Sequence, residues 1–504
     1  MDLQLREVEL KLAVGSASAK TSADREVAGA RPRNLESIYF DTADRKLRSA
    51  GYCLRLRKDR GRWSQTVKSE NGAVDRYEHE RRIKGGDLNL ALLDETPVAE
   101  IINGADDLQP MFVTRVRRRS SNRQCEESRI EFSLDEGEII AAGNSSPILE
   151  LELELKSGNA ADLFTQARRL AQTEQLTPAF TSKAERGYRL ADGLASEPSK
   201  FQAPRVDRHT PAGVAFQGIA RACLRQLTAN AELLKSGARI EALHQARVAL
   251  RRLRVALTVF GPILADQEVE IAKQELRWLT EEMGDARNLD VFIFESFRPA
   301  AKALVDPSRM AAFGKSLLAA QQRAYARAAK AVRSVRFRTL LVEVSRWVEN
   351  GEWTRDVLTF NHAEAPCREF AREALRKRHR KVTKRAKTLR WNDPLARHKL
   401  RIQIKKMRYA SDFFADLAGG RRARRYNEFN ETTENLQEIL GRLNDIWMGQ
   451  HVAQSALANA EPGGIEGADF AAGVVVGRKT AEVSKLIKAG KRAGRVFADT
   501  RPWW

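Results

Sequence analysis

Carboxylates and basic side chains alternate along short segments of the first 190 residues, with the spacing that puts them on shared strand faces. Glu7, Glu9 and Lys11 point the same way, because successive strand residues face opposite sides. The same holds for Arg55 with Arg57, Thr66 with Lys68, and Arg76 with Glu78 and Glu80. It holds again for Glu131 with Asp135, and for Glu150, Glu152 and Glu154. Hard divalent cations take oxygen ligands, and Mg²⁺ typically sits on a few carboxylates, waters and substrate phosphates. Glu7, Glu9, Asp135, Glu150 and Glu152 are candidate metal ligands, with Glu154 exchangeable for Glu150 because the glutamate run allows either register. Lys11, Arg55, Arg57, Lys68 and one or two of Arg115, Arg117 and Arg118 are candidate phosphate clamps, Arg being able to bind two oxygens at once. Phosphoryl transfer needs positioning and charge neutralisation more than a covalent nucleophile. Lys11, Arg57 and Lys68 are the candidate catalytic cations, and no Ser-His-Asp or Cys-His arrangement competes with them.

These side chains need a scaffold that tolerates a charged face. Leu149, Leu151, Leu153 and Leu155 alternate with the glutamates of the last segment, so the leucine side must be buried and the glutamate side must be wet. A small closed antiparallel barrel with a charged lumen satisfies both faces and removes the sheet edges. Segments near 7–12, 38–40, 53–57, 64–68, 76–83, 112–118, 129–134 and 148–156 supply about eight strands, and 160–175 has helical periodicity. Residues 191–211 carry three prolines and little periodicity, as a linker does; beyond Thr210-Pro211 the pattern is helical nearly to the end.

The helical part contains an internal echo. His244, Arg247, Arg251 and Arg254 recur 154 positions later as His398, Arg401, Lys405 and Arg408, at the same offsets. On a helix each set falls within an arc of roughly 80°, beside an apolar arc such as Ala246, Leu250, Leu253 and Leu257. A second correspondence, Met283–Asn288 against Leu440–Asp445, has nearly the same offset, so the two halves read as copies. Charge agrees: the net +21 is confined to residues beyond 200, because residues 1–200 hold 32 Lys+Arg against 33 Asp+Glu. Such a field points to an acidic partner, and the two stripes are candidate polyanion-binding surfaces.

The four cysteines are scattered, no apolar signal core opens the chain, and no stretch approaches a membrane span of roughly 20 apolar residues. The expectation is a cytoplasmic protein without a membrane partner. Aromatics, 7% of the chain, do not interleave with the stripes, which argues against nucleic acid as the polyanion. Oligomeric state is left open.

The first 190 residues resemble the CYTH family of triphosphate tunnel metalloenzymes. The resemblance rests on Glu7-x-Glu9-x-Lys11, Tyr39-Phe40-Asp41-Thr42, Leu54-Arg55-Leu56-Arg57, Thr66-x-Lys68, Arg76-x-Glu78-x-Glu80, Leu134-Asp135-x-Gly137, Glu150–Glu154 and Ser182–Tyr188. It implies an eight-stranded antiparallel tunnel with flanking helices that binds a triphosphate with Mg²⁺ or Mn²⁺. Within it, Glu7, Glu9, Asp135, Glu150 and Glu152 fall at metal-site positions, and Lys11, Arg55, Arg57, Lys68 and Arg118 at phosphate-binding ones. Lys183 either reaches the tunnel mouth to bind substrate or caps the surface. Residues from about 208 to 500 look like a CHAD domain, which implies tandem four-helix bundles binding inorganic polyphosphate. Asn288 departs from the aspartate that family commonly carries after arginine, whereas Asp445 keeps it. The expected division is a tunnel domain over 1–192, a linker over 193–209, and helical bundles over 210–350 and 351–504. The expected function is inorganic triphosphatase; the competing readings are a non-catalytic polyphosphate scaffold and a class IV adenylate cyclase or organic triphosphatase.

Overall fold

The computed structural model describes residues 6–70, 75–102, 108–237, 239–264, 266–303, 307–355, 363–420, 422–458 and 468–504, with the side chains at 6, 7, 75, 76 and 307–309 also outside the description. The chain forms two compact units. One comprises Met1–Lys200 with Ala220–Leu233 and Arg333–Glu352; the other comprises Phe201–Ile219, Leu234–Val332 and Trp353–Trp504.

The first unit is built on nine strands: β1 (Arg6–Ala13), β2 (Arg33–Thr42), β3 (Tyr52–Asp59), β4 (Arg62–Ser69), β5 (Asp75–Ile83), β6 (Leu108–Cys125), β7 (Ser128–Ala141), β8 (Asn144–Ser157) and β9 (Thr177–Ala179). All pairings are antiparallel, in the order β5-β4-β3-β2-β6-β7-β8-β1-β9. The start of β1 also pairs with β5, so eight strands close on themselves and β9 is added beside Lys11–Ala13. All eight expected strands are present. The ninth, only three residues long, is too short for a periodicity signal.

The alternation sorts the two faces. Leu10 and Leu12 of β1, Ile130, Phe132 and Leu134 of β7, and Leu151 and Leu153 of β8 point outward. They are buried under α1 (Ala17–Glu26) and α3 (Ala160–Thr173), which contribute Ala19, Ala23, Leu163, Phe164 and Leu170. The Ser16 hydroxyl caps α1 and the Asn159 side chain caps α3, each accepting a first-turn amide. A short helix, α2 (Lys46–Ala50), covers the outer face of β3 through Leu47.

One stretch of the interior is apolar and filled by α4 (Lys183–Ala191). Ala184 and Tyr188 of this helix pack with Tyr39, Phe112, Ile139 and Ile148. A Cβ on Gly187 would lie 2.2 Å from the Phe112 ring, so the helix approaches that closely only because the position is glycine. Tyr188 donates to Asp41 at 2.8 Å, and the fully buried Asp41 also accepts the backbone amides of Thr42, Leu47 and Arg48. α4 is thereby fixed against β2 and α2.

The second unit is helical. Its elements are α5 (Ala212–Lys235, of which 220–233 cluster with the barrel), α6 (Ile240–Val259), α7 (Glu268–Glu282), α8 (Gly284–Phe292), α9 (Arg298–Ala303) and α10 (Pro307–Arg333). α11 (Val335–Asn350) belongs to the barrel unit; α12 (Cys367–Lys387), α13 (Pro394–Phe413), α14 (Arg422–Ala458), α15 (Ala468–Thr480) and α16 (Val483–Asp499) complete the second.

The repeat is visible in the backbone. Pro211 and Pro366, at the starts of the two copies, form an antiparallel bridge: Ala212 N–H donates to Ala365 at 3.0 Å and Cys367 N–H to Thr210 at 2.8 Å. Such reciprocity is what a twofold relation between copies produces. Phe216, Phe260, Phe370 and Phe414, two positions and their counterparts 154 residues on, pack as one aromatic cluster. One difference between the copies lies in a long helix. α14 runs unbroken for 37 residues, whereas its counterpart is interrupted at Met283 and by a π-helical turn at Ile293–Phe297.

Candidate active site

The barrel encloses a polar cavity of about 850 Å³. Lys11, Arg55, Arg57, Lys68, Arg118 and Lys183 line it together with Glu9 and Glu152. The side chain of Glu7, the remaining expected metal ligand of β1, lies outside the described residues, as does that of Arg76.

Asp135, Glu150 and Glu152 bring one carboxylate oxygen each within 4.8 Å of one another. They come from the facing strands β7 and β8, where Asp135 is the cross-strand partner of Glu150. Arg118 on β6 sits directly across from Asp135 and clamps it with two parallel bonds of 2.6 Å, while also bonding Glu152. The Lys183 ammonium, from the first turn of α4, contacts Asp135 at 2.7 Å, Glu152 at 2.8 Å, and Glu150. Of the alternatives left open, then, Arg118 faces inward. Arg115 lies on the outer surface beside Glu36, and Arg117 is exposed. Glu150 is turned into the acid cluster, whereas Glu154 pairs with Lys156.

The remaining cations are strung between carboxylates. Lys11 bridges Glu9 (3.3 Å) and Glu152 (3.4 Å). Lys68 lies between Glu9 (3.7 Å) and Glu78 (3.3 Å), and Arg55 beside Glu78 (3.6 Å) and Glu80 (3.9 Å). Arg57 is different: it donates to Ser37 at 3.3 Å and, among the described residues, has no carboxylate partner. Burial, with Arg55 and Arg118 close by, pulls its pKa down to about 10. For Arg118 and Lys183 burial also disfavours the charge, but the surrounding carboxylates outweigh it and hold both pKa values well above their usual range. Burial pushes the other way on Asp135 and Glu152 too, and Lys183 and Arg118 overcome it, keeping both ionised. Glu78, Glu80 and Ser37, outside the candidate set, complete this network. Their signal was the shared strand parity with Arg76 and with Tyr39.

In the helical unit the two stripes lie on α6 and α13. The equivalent residues Arg251 and Lys405 repel each other, and burial together with Arg251 and Arg401 lowers Lys405 to about 6. Neither has an ion-pair partner among the described residues. Arg247 and Arg401, also equivalents, each have a buried Nε without a hydrogen-bond partner. Arg401 is 3.9 Å from Asp445 and Arg408 is 3.6 Å from Glu434; burial lowers Arg254. The two histidines differ in surroundings. His398 shares a 2.6 Å hydrogen bond with Asn444, whereas His244 faces Arg287 and is lowered by burial and that charge to about 4. Arg287 was not among the expected residues, although it lies in the second repeated segment.

No helix of the described residues is long and apolar enough to cross a membrane. Comparison with known proteins gives two family matches, a CYTH domain over residues 5–188 and a CHAD domain over 218–454. An inorganic triphosphatase from Haemophilus influenzae is 33% identical over 202 residues, which are 38% of this chain and 56% of that protein. The chain thus matches little more than half the length of this relative. The crystal structure of the CHAD domain from the plant Ricinus communis aligns with a TM-score of 0.51 at 27% identity, over 59% of this chain and 96% of that one. A Hippeastrum protein described as an adenylyl cyclase with a dominant triphosphatase activity aligns at 18% identity and a TM-score of 0.26, over 36% and 95% of the two chains. The chain therefore carries a CYTH domain at residues 5–188, followed by a CHAD domain at 218–454.

Proposed function

We propose that the CYTH tunnel hydrolyses inorganic triphosphate to pyrophosphate and phosphate with Mg²⁺ or Mn²⁺, and that the CHAD helices bind inorganic polyphosphate. The observation that carries the first part is Arg57, a cation without a carboxylate partner among the described residues, facing a polar cavity across from an acid cluster. A lumen of wholly self-paired charges would be a structural ion network; a guanidinium without a carboxylate partner among the described residues invites an anion.

The residues present fit a divalent cation. Three carboxylate oxygens converge, and the buried Glu9 Oε1 meets the Lys11 ammonium at 3.3 Å without an aligned hydrogen bond. Glu9, Asp135, Glu150 and Glu152 would hold the ion, with Glu7 the further candidate on the same strand. When bound, the ion neutralises phosphate oxygens and fixes their orientation. Lys11, Arg55, Arg57, Lys68 and Arg118 bind the phosphate chain, and Lys183 is the sixth cation available to it. Arg57, already desolvated and repelled by Arg55 and Arg118, gains most from charge that builds on the transferring phosphoryl group. Arg57, Lys11 and Lys68 therefore take the catalytic roles.

For the helices, the reading rests on Arg247, Arg251, Arg401 and Lys405, whose charges are close and incompletely compensated. His244, Arg254, His398 and Arg408 extend the tract at either end. A phosphate chain carrying a charge on every unit would relieve the repulsion.

Phosphate release from tripolyphosphate, ATP, thiamine triphosphate and long-chain polyphosphate, each with Mg²⁺ and with Mn²⁺, is the direct test. Tripolyphosphate is expected to be the best substrate. No release, or release undiminished by Arg57→Ala, would sink the catalytic reading; faster turnover of ATP would favour an organic triphosphatase or cyclase.

A further inference from the structure

We propose that Lys183 is a built-in gate on the cation seat. Its ammonium occupies the position between Asp135, Glu150 and Glu152 that a divalent ion takes, so lysine and metal alternate there. The inference rests on the metal-dependent reading above and goes beyond it by assigning Lys183 a role before any phosphate arrives.

The geometry is that of a stand-in ion. An ammonium has three donors, and Lys183 spends them on three different carboxylates: Asp135 at 2.7 Å, Glu152 at 2.8 Å, and Glu150. These are the same three side chains whose oxygens converge within 4.8 Å. Outer positions of the cluster are held independently, by Arg118 on Asp135 and Glu152 and by Arg186 on Glu150 at 3.2 Å. The acids therefore stay oriented whether or not Lys183 is among them. Two cations cannot share one set of three oxygens, because a divalent ion draws its ligands in to about 2.0–2.6 Å and leaves no room for an ammonium.

The exit is short. Lys183 is the first residue of α4, and Ser182 caps that helix by accepting the Glu185 amide at 3.0 Å. Tyr188 and Gly187 anchor the next turn against Asp41 and Phe112. Rotation about the four-carbon stem can thus withdraw the ammonium while the helix stays in place. The exchange of one positive charge for two leaves the cavity more attractive to a polyanion, and releases a lysine that lines the same cavity.

The test is Mn²⁺ binding without substrate, followed by electron paramagnetic resonance of the free ion. If Lys183 holds the seat most of the time, the apparent affinity is reduced by the fraction of time the seat is open. Lys183→Met is then expected to bind Mn²⁺ about tenfold more tightly than wild type. Lys11→Met is the control: it removes a positive charge 3.4 Å from Glu152 without vacating the seat, and is expected to gain distinctly less. Equal affinity of wild type and Lys183→Met overturns the gate, as does an equal gain in Lys11→Met. Binding to neither protein overturns the metal reading itself. A second measurement uses only wild type: acetylation of Lys183 by acetic anhydride, read by mass spectrometry. Labelling is expected to rise on adding Mn²⁺, and labelling that is indifferent to Mn²⁺ overturns the gate even if the Met variant fails to fold.

Discussion

Arg118 and Asp135 face each other across β6 and β7 and join through two parallel bonds, Nε to Oδ1 and Nη2 to Oδ2, both 2.6 Å. Asp135 is fully buried, so it depends on Arg118 and Lys183 to remain charged. Breaking a buried pair from one side leaves an uncompensated charge and costs about 3–5 kcal/mol. Arg118→Met is expected to lower unfolding stability by that order in urea melts at pH 7, and Arg118→Lys to recover part of it. The pH sign follows from the lowered pKa of Asp135. Its contribution is present above the unfolded carboxyl value and is lost as pH falls through the folded value. Wild type and Arg118→Met should therefore converge in stability towards strongly acidic pH. Equal stability of the two proteins at pH 7 would show that Lys183 alone supports Asp135.

This pair also marks where the sequence stops being legible. The leucine–glutamate alternation of 149–155 identifies both faces of β8 by itself, because only one face of a strand can be buried in an apolar layer. Around Arg118 the alternation fails: Phe112 and Val113 are adjacent and both apolar, so neither parity of the arginine run is marked. The cross-strand position of Asp135 decides it, and that is a property of register. Lys183 is a similar case. A lysine at a helix start is usually solvated, and its seat among three acids exists only once the barrel has closed around α4. In the helical half, equal spacing made the stripes readable. The break of one copy at Met283 and Ile293–Phe297 left no such mark, since α14 runs straight through the corresponding stretch.

Arg57 gives a kinetic prediction. Its guanidinium has a hydroxyl neighbour and no carboxylate partner among the described residues, so removing it frees no buried acid and should cost little stability. On the proposed function, Arg57→Ala should lower kcat for tripolyphosphate on the order of 10²–10³-fold, as loss of a preorganised transition-state contact does. Steady-state phosphate release is the measurement. A rise in KM with kcat unchanged would mean that Arg57 only holds the ground-state chain.

Gly187 tests how far the tunnel depends on α4. A methyl group there would meet the Phe112 ring at 2.2 Å, and the ring is itself stacked on Tyr39 at 4.4 Å. Overpacking of this kind costs about 1–3 kcal/mol. Gly187→Ala should lower the melting temperature and weaken the Tyr188–Asp41 hydrogen bond by pushing the helix outward. Gly187→Ala with Phe112→Leu should recover part of the loss in thermal melts. Failure to recover would place the strain somewhere other than that ring.

On the proposed function, Lys405 makes polyphosphate binding sensitive to pH. Its folded pKa, about 6, lies below the ordinary lysine value because the site is buried and Arg251 and Arg401 repel the charge. The charged form is thus disfavoured by folding, and this residue costs stability increasingly as pH falls from the unfolded value towards about 6. A bound phosphate chain reverses the balance by favouring the ammonium, so binding takes up a proton wherever the free protein lacks it. Affinity should then rise as pH falls from 8 to 6, by at most about tenfold per unit for this single group, and level off below. His244, at about 4, adds its own charge only at lower pH. Arg remains protonated throughout the range, so Lys405→Arg should keep tight binding and abolish the slope above pH 6. Titration of long-chain polyphosphate at fixed ionic strength reads both, and a wild-type slope that persists in Lys405→Arg would assign the proton to another group.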